Sequence, residues 1–196
     1  MAIDVKSLKI VTYPAPVLLK KAAKVPAVTS EVQAVAQRML ELMRQAEGIG
    51  LAAPQVGLPW RMFVVDIEPL EDEDAPGDGP GPDPSGLPTY TDGPEVYINP
   101  TFTNPLGSPE PMEEGCLSLP NIRGDVLRSP TITIQALDID GQPFTQSATG
   151  LLARCWQHEM DHLDGVLILS RFTQVSRIKT KSAVKALESA RPLKKA

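Results

Sequence analysis

The feature that most constrains this chain is the segment 155–162, which reads Cys-Trp-Gln-His-Glu-Met-Asp-His and contains both of its histidines. No Pro or Gly interrupts residues 151–163, and their composition predicts a helix. Residues four apart lie on one face of a helix, so the imidazoles of His158 and His162 can bind one ion. The fold must then bring a further ligand to this helix from elsewhere in the chain.

Glu159 follows the first histidine and lies about 100° further round the predicted helix. From that position its carboxylate can accept a proton from a water beside the ion without itself becoming a ligand. The His-Glu-x-x-His pattern is typical of metal-dependent hydrolases, in which the glutamate is the general base.

A catalytic site of this kind needs three protein ligands and an open position. Cys155 precedes His162 by seven residues, about 10.5 Å along the helix axis, which is too far for one coordination sphere. Asp161 points away from the histidine face, and Glu159 is needed as the base. Cys116 lies in a Gly-containing turn that can approach the helix from the side, so we predict it as the third ligand. For Cys155 we predict a small, buried, apolar role.

A third segment, residues 48–57, is rich in small residues and contains Gln55. Small residues allow the backbone to come close to a ligand, and the glutamine offers an amide donor. Taken alone, the segment is equally consistent with a tight turn between a helix and a strand.

Hydrophobic periodicity predicts the remaining elements. A helix opens at residues 29–31, ends at Gly48 and buries one face, formed by Val32, Val35, Met39, Leu42 and Met43. Short strands are expected at 62–67, 96–98, 125–127, 131–137 and 142–146, and a C-terminal helix at 175–189. Strands joined by turns, without βαβ alternation, predict an α+β fold with antiparallel sheets.

We expect residues 1–196 to form one domain that carries a surface loop insertion at 68–94. That stretch has seven Pro, five Gly and eight acidic residues but no Lys or Arg; without it the formal net charge changes from −5 to +3. The insertion is predicted to be dispensable for chemistry, with docking of a basic partner as the alternative. The near-neutral remainder gives no reason to expect DNA binding.

Cellular location is predicted from what the sequence lacks. It has no apolar run of about 20 residues, so no membrane span is expected. Its first residues lack the basic and apolar pattern of a secretion signal. Two cysteines are too few for a disulfide framework, which favours a cytoplasmic protein.

Three segments together closely resemble the signature motifs of peptide deformylases: Gly-Ile-Gly-Leu-Ala-Ala-Pro-Gln at 48–55, Glu-Gly-Cys-Leu-Ser at 114–118 and Gln-His-Glu-Met-Asp-His at 157–162. The resemblance runs from about residue 13 to residue 169. It implies antiparallel sheets around a central helix that carries both histidines. It also implies removal of the formyl group from N-formylmethionine on nascent polypeptides at the ribosome. The implied ion is Fe²⁺, with Ni²⁺, Co²⁺ or Zn²⁺ as other occupants.

The resemblance also assigns roles to individual residues. The metal ligands are Cys116, His158 and His162, and the general acid/base is Glu159. Gln55 and the backbone N–H of Leu117 match donors to an oxyanion. The substrate-binding positions, to which His158 also contributes, are Ile49, Gly50, Arg123, Leu151 and Cys155.

Arg154 occupies a position beside the pocket where an apolar residue is expected. We predict that its aliphatic stem borders the pocket while its guanidinium reaches water.

Two other classes remain open at this point. A zincin-type metallopeptidase needs a third His or Glu further along, but no His follows and Glu188 lies 26 residues beyond His162. A non-catalytic module stabilised by a metal needs four protein ligands and leaves Glu159 without a task.

Overall fold

The computed structural model describes residues 3–69 and 85–190 of the chain. In chain order the helices and strands of these ranges are α1 (Ser30–Gln45), β1 (Gly50–Ala52), β2 (Met62–Val65), β3 (Glu95–Leu106), β4 (Glu110–Cys116), β5 (Leu119–Arg128), β6 (Thr131–Leu137), β7 (Pro143–Thr149), α2 (Gly150–Leu163), α3 (Ile168–Arg171) and α4 (Gln174–Ala190). Three short 3₁₀ helices accompany them, one of them at Ala53–Val56.

Antiparallel pairing joins five strands into one sheet with the order β1-β2-β3-β6-β7, and β4 pairs with β5 in a separate hairpin. The predicted α+β class, with antiparallel sheets, a central helix and further helices near both ends, is confirmed. No helix within the described ranges combines the length and apolar character needed to cross a bilayer.

The central helix is α2, and it is buried on nearly every side. Such a helix belongs to the core of a protein and not to its surface. Trp156 is fully buried, and its ring meets that of Tyr97 edge-on at 5.5 Å between centroids. Tyr97 in turn stacks on Phe63 at 4.7 Å. This aromatic group fixes α2 against the middle of the five-stranded sheet.

Helix α1 forms where its periodicity predicts. Thr29 Oγ1 accepts a hydrogen bond from the backbone N–H of Val32, which caps the first turn. All five residues predicted for its buried face are buried. They pack against Leu51, Met62 and Val64 on β1 and β2, so α1 supports the segment that carries Gln55.

The observed strands agree with the predicted ones to different degrees. The prediction for β6 has the observed bounds, whereas β3 and β5 extend well beyond their predicted segments. Strand β3 passes Pro100 and Pro105 through two register shifts in its pairing with β6, which accommodate residues that interrupt a regular ladder. Strand β4 was not predicted: Cys116, its last residue, was placed in a turn. The first four residues of β4 are exposed, so no buried alternation marks them as a strand.

Of the predicted 68–94 insertion, residues 70–84 lie outside the described residues. The part that is described after them, 85–94, is hydrogen-bonded to the rest of the protein. Thr91 hydrogen-bonds Ile67 through its backbone N–H (3.1 Å) and through its hydroxyl (3.0 and 3.3 Å). The carbonyl oxygens of Pro88 and Thr89 accept from Thr149 N and Leu152 N, at 3.0 and 3.1 Å. The segment 87–91 therefore caps the first turn of α2, where the Thr149 side chain makes no capping bond.

Candidate metal centre and substrate cleft

Three side chains from two elements converge at the centre of the molecule. His158 and His162 stack along α2, with ring centroids 5.1 Å apart. Cys116 is the last residue of β4, and its Sγ lies 3.2 Å from His162 Nε2. One ligand atom from each of these residues lies within 4.8 Å of the other two. Two imidazole nitrogens and one sulfur at this spacing fit a divalent transition metal.

Cys116 reaches the helix because β4 and β5 are joined by a tight turn at Leu117 and Ser118. A register shift between Gly115 and Cys116 breaks the regular pairing at that point. Such a bulge redirects a side chain at the end of a strand.

Glu114 binds the Nδ1 nitrogen of the His158 imidazole. Its Oε2 lies 3.1 Å from His158 Nδ1, and Arg128 binds the same carboxylate through Nε (2.7 Å) and Nη2 (2.9 Å). Burial opposes ionisation of Glu114, but its bonds to His158 and Arg128 outweigh burial and hold its pKa well below the usual range. An ionised acceptor at Nδ1 orients the ring and leaves Nε2 to face the ligand cluster.

Sequence reasoning did not identify Glu114 and Arg128. Neither residue forms a spacing pattern with the histidines, because they come from β4 and β5. Asp161, considered above as a ligand, binds Arg128 (2.9 Å) and Arg171 (2.7 Å) instead. Two signals of this supporting network were available in the sequence: Glu114 begins the 114–118 motif, two residues before Cys116, and Asp161 lies next to His162.

Glu159 is 3% exposed and its Oε2 has no hydrogen-bond partner among the described residues. Burial raises the pKa of this carboxyl to about 7. Gly50 gives it room: a Cβ at that position would lie 2.6 Å from Glu159 Oε1 and 2.7 Å from Cys155 Sγ. Any larger residue at position 50 would displace the carboxylate.

Gln55 also contacts Cys116 and is fully buried. Its Oε1 accepts from Ala52 N at 2.7 Å, which fixes the amide orientation. Its Nε2 then points at Cys116 Sγ (3.6 Å) and Ser118 Oγ (3.4 Å). The amide is thus presented as a donor at the edge of the ligand cluster.

A cleft of about 620 Å³ opens onto this centre. It is bordered by every predicted site residue except His162: Ile49, Gly50, Gln55, Cys116, Leu117, Arg123, Leu151, Cys155, His158 and Glu159. Cys155 is 5% exposed, and its Sγ lies 3.8 Å from the carbonyl oxygen of Ile49, outside the ligand cluster. Arg123 pairs with Glu113 at 2.9 Å on the exposed rim.

The prediction for Arg154 is half wrong. Arg154 borders the cleft, as predicted, but its guanidinium is directed at protein acceptors and not at solvent. Nη1 donates to Glu114 Oε1 at 2.9 Å, and the whole residue is 9% exposed. A buried carboxylate within reach competes successfully with water for a guanidinium, because the bond is charge-assisted on both sides.

A cluster of two histidines and a cysteine, with a buried carboxylate on the same cleft, is typical of a metal-dependent hydrolase. The sequence profile described as polypeptide deformylase matches residues 7–178. A peptide deformylase of Opitutus terrae is 42% identical over 183 residues, which covers 92% of this chain and 93% of that protein. One from Novosphingobium aromaticivorans is 39% identical and covers 93% and 96%.

Solved structures agree with these relatives. The crystal structure of peptide deformylase from Ehrlichia chaffeensis superposes with a TM-score of 0.81 at 31% identity, covering 93% of this chain and 96% of that one. The same enzyme in complex with actinonin gives 0.79 at 32% identity, covering 95% and 98%. The chain belongs to the polypeptide deformylase family. It is a hydrolase of the N-formyl amide of nascent polypeptides, which decides against the zincin-type metallopeptidase and the non-catalytic module.

Proposed function

We propose that this chain removes the formyl group from the N-terminal formylmethionine of new polypeptides with the residues assembled in the cleft. The observation that carries the proposal is the convergence of Cys116, His158 and His162 within 4.8 Å, on a cleft that Glu159 also borders. With no fourth protein ligand at this cluster among residues 3–69 and 85–190, room is left for water and substrate, as a catalytic site requires.

Cys116, His158 and His162 would hold the ion. Two imidazoles and one thiolate suit Fe²⁺, Co²⁺, Ni²⁺ and Zn²⁺, and we take Fe²⁺ as the resident ion on the resemblance of the motifs. When bound, such an ion would act as a Lewis acid that lowers the pKa of a water to about 7 and polarises a carbonyl oxygen.

Glu159 is the group that moves the proton. Its carboxylate accepts a proton from the water that attacks the formyl carbon. It returns this proton to the amine nitrogen as the C–N bond breaks, which releases formate and a free amino terminus. Gly50 keeps this carboxylate at the cleft, since any Cβ there would lie 2.6 Å from its Oε1.

Gln55 and Leu117 act on the charge that develops during attack. The Gln55 Nε2 and the backbone N–H of Leu117 donate to the formyl oxygen as it becomes negative. Donors of this kind contribute about 3 kcal/mol each to transition-state stabilisation. Because Ala52 N holds Gln55 Oε1 at 2.7 Å, the amide needs no reorientation during the reaction.

The remaining residues of the cleft bind the substrate. Ile49, Leu151 and Cys155 form the apolar wall for the methionine side chain. The backbone of Gly50 and the exposed Arg123 face the peptide that follows it. Nascent chains present such a terminus as they leave the ribosome, so we place the reaction there, in the cytoplasm.

Formate release from a formylmethionyl tripeptide tests the proposal. We expect the metal-loaded wild-type protein to release one formate per peptide cleaved. Glu159→Gln should bind metal at the wild-type stoichiometry yet lose at least 100-fold in rate, because general acid–base catalysis contributes about 10²–10⁴-fold. A Glu159→Gln protein with the wild-type rate would remove this residue from the mechanism.

A further inference from the structure

The side chain of Arg154 connects the metal-binding helix to the strand hairpin that carries the third ligand. Arg154 lies on α2, four residues before His158 and on the same helix face. Its Nη1 donates to Glu114 Oε1 (2.9 Å) and to the carbonyl oxygen of Val126 (3.0 Å). Its Nη2 donates to the carbonyl oxygen of Glu110 at 2.7 Å. One guanidinium therefore holds both strands of the hairpin.

Arg128 makes the reverse connection, from the hairpin to the helix. It lies on β5, and besides its two bonds to Glu114 it donates through Nη1 to Asp161 on α2 at 2.9 Å. The Glu114 carboxylate thus accepts from two arginines anchored on different elements, and it also holds His158 Nδ1 at 3.1 Å. A network whose members are all bonded in this way is rigid.

Among the described residues the hairpin is not part of the five-stranded sheet. Its β5 strand is also held by a bridge between Val126 and Phe172 and by the hydrogen bond from Thr173 N to the Asp125 carbonyl oxygen (2.9 Å). Cys116 ends β4, whereas both histidines belong to α2. The hydrogen bonds of Arg154 and Arg128 connect the hairpin directly to α2, so they bear on the distance between the sulfur and the imidazoles.

We propose that Arg154 is a positioning residue that fixes the β4–β5 hairpin on α2. It thereby keeps Cys116 at ligand distance from the histidines and keeps the inner wall of the cleft in place. The inference rests on the proposed metal ligands and cleft. Arg154 borders the cleft together with Leu151 and Cys155, so the bonds that hold its guanidinium also fix part of the wall that the substrate side chain would meet.

Three variants test this role. Arg154→Met keeps an unbranched apolar stem and removes all three hydrogen bonds. Arg154→Lys keeps the stem and the charge but offers a point charge in place of a planar fork. Arg171→Met is the matched control: it removes an arginine from the same network, one that is 51% exposed and binds Asp161 on α2.

The first measurement is the rate at which Ni²⁺-loaded protein loses its metal to excess chelator. Removal of a group that orients metal ligands costs about 10–100-fold in metal affinity, so we expect Arg154→Met to lose Ni²⁺ at least tenfold faster than wild type. Arg154→Lys should be intermediate, and Arg171→Met should stay within twofold. The second measurement is the ratio of kcat/KM for formylmethionyl over formylphenylalanyl peptides, which should fall several-fold in Arg154→Met alone.

A merely structural role would lower the melting temperature and leave metal loss and substrate preference unchanged, which would overturn the proposal. Equal Ni²⁺ loss from Arg154→Met and Arg171→Met would overturn it as well. If Arg154→Met does not fold, the comparison of Arg154→Lys with wild type decides by the same criteria. Failure of the proposed function is a different result: wild-type protein that binds Ni²⁺ but releases no formate.

Discussion

Cys116 and Cys155 have the same side chain and different surroundings. Cys116 Sγ lies 3.2 Å from His162 Nε2, whereas Cys155 Sγ faces the carbonyl oxygen of Ile49 at 3.8 Å. Burial also raises the pKa of the Cys155 thiol well above its usual value, which keeps it protonated. Since only a thiolate is a strong metal ligand, the two cysteines should differ sharply in their effect on the metal.

We therefore expect Cys116→Ser to lose most of its bound metal after reconstitution and desalting, and Cys155→Ser to retain it. Elemental analysis of metal per chain measures both variants side by side. Full metal content in Cys116→Ser would exclude Cys116 as a ligand.

A second residue-scale prediction concerns Glu95, which is half-buried beside the aromatic group under the sheet. Burial raises its pKa above the ordinary 4.5, even though the Tyr97 hydroxyl donates to its carboxylate. A raised pKa means that the folded state binds the proton more tightly than the unfolded chain. The stabilising contribution is thus complete below pH 4.5 and is lost as pH rises through the folded-state pKa.

Glu95→Gln, which is neutral at every pH, should therefore melt at a higher temperature than wild type at pH 7. The difference should shrink as pH falls toward 4.5. Thermal unfolding over this pH range measures it. A difference that does not change with pH, or a more stable wild type at pH 7, would show that burial of the charge has no cost here.

The residues nearest the reaction were predictable because their roles follow from their spacing along the chain. His158, Glu159 and His162 lie within five positions of one helix, and Cys116 follows from counting ligands. The role of Glu114 could not be predicted from spacing, because it depends on a contact with His158, which lies on another element.

At the scale of elements, helices with a cap and a periodic face were predictable, and polar strands were not. Helix α1 has a threonine cap and one apolar face. Strand β4 has neither alternation nor burial in its first four residues, and it forms only because β5 pairs with it. Pairing between strands is a property of the folded chain, which a local pattern does not report.

Helix α2 yields a prediction at this scale, because its first residue is in a left-handed conformation. Gly150 has φ +58°, and a Cβ there would lie 3.1 Å from Thr89 Cγ2 in the capping segment. Gly150→Ala should destabilise the protein by about 1–3 kcal/mol, as expected for a non-glycine residue in this region.

Gly141→Ala is the control for that variant. Gly141 has φ +79° in the turn before β7, but a Cβ there would meet nothing closer than 3.5 Å. Both alanines have to adopt a positive φ, so this conformational cost is common to the two variants. Only Gly150→Ala adds a close contact with Thr89, so it should show the larger loss of unfolding free energy in urea titrations. Equal losses would mean that the contact with Thr89 has no energetic weight.

For the whole molecule, the fold indicates that only part of the predicted 68–94 insertion can be removed without loss of stability, because residues 87–91 are bonded to Ile67 and to α2. Replacing residues 70–84 with a short Gly-Ser link leaves the Ile67–Thr91 bonds and the capping carbonyls intact. We expect kcat/KM on a formylmethionyl peptide within threefold of wild type. Cutting from 68 through 94 removes those bonds, and each buried N–H left without a partner costs about 1–3 kcal/mol.

Melting temperature and kcat/KM, measured on both deletions, check this prediction. The longer deletion should melt at a clearly lower temperature and the shorter one close to wild type. Similar values for both would show that Pro88 and Thr89 do not stabilise α2. Composition alone could not separate the two parts, because Pro and Gly occur throughout the insertion.

The bonds between Ile67 and Thr91 also bear on how this chain can change over evolutionary time. These bonds hold Ile67 and Thr91 together. The positions of the other elements therefore do not depend on how many residues separate the two. For a loop whose two ends are held together, each doubling of its length costs only about 0.6 kcal/mol in closure entropy. Additions and losses of sequence within residues 70–84, outside the capping segment 87–91, are therefore expected to be nearly neutral to selection. The same position is a natural place to graft a reporter or an affinity tag onto the enzyme.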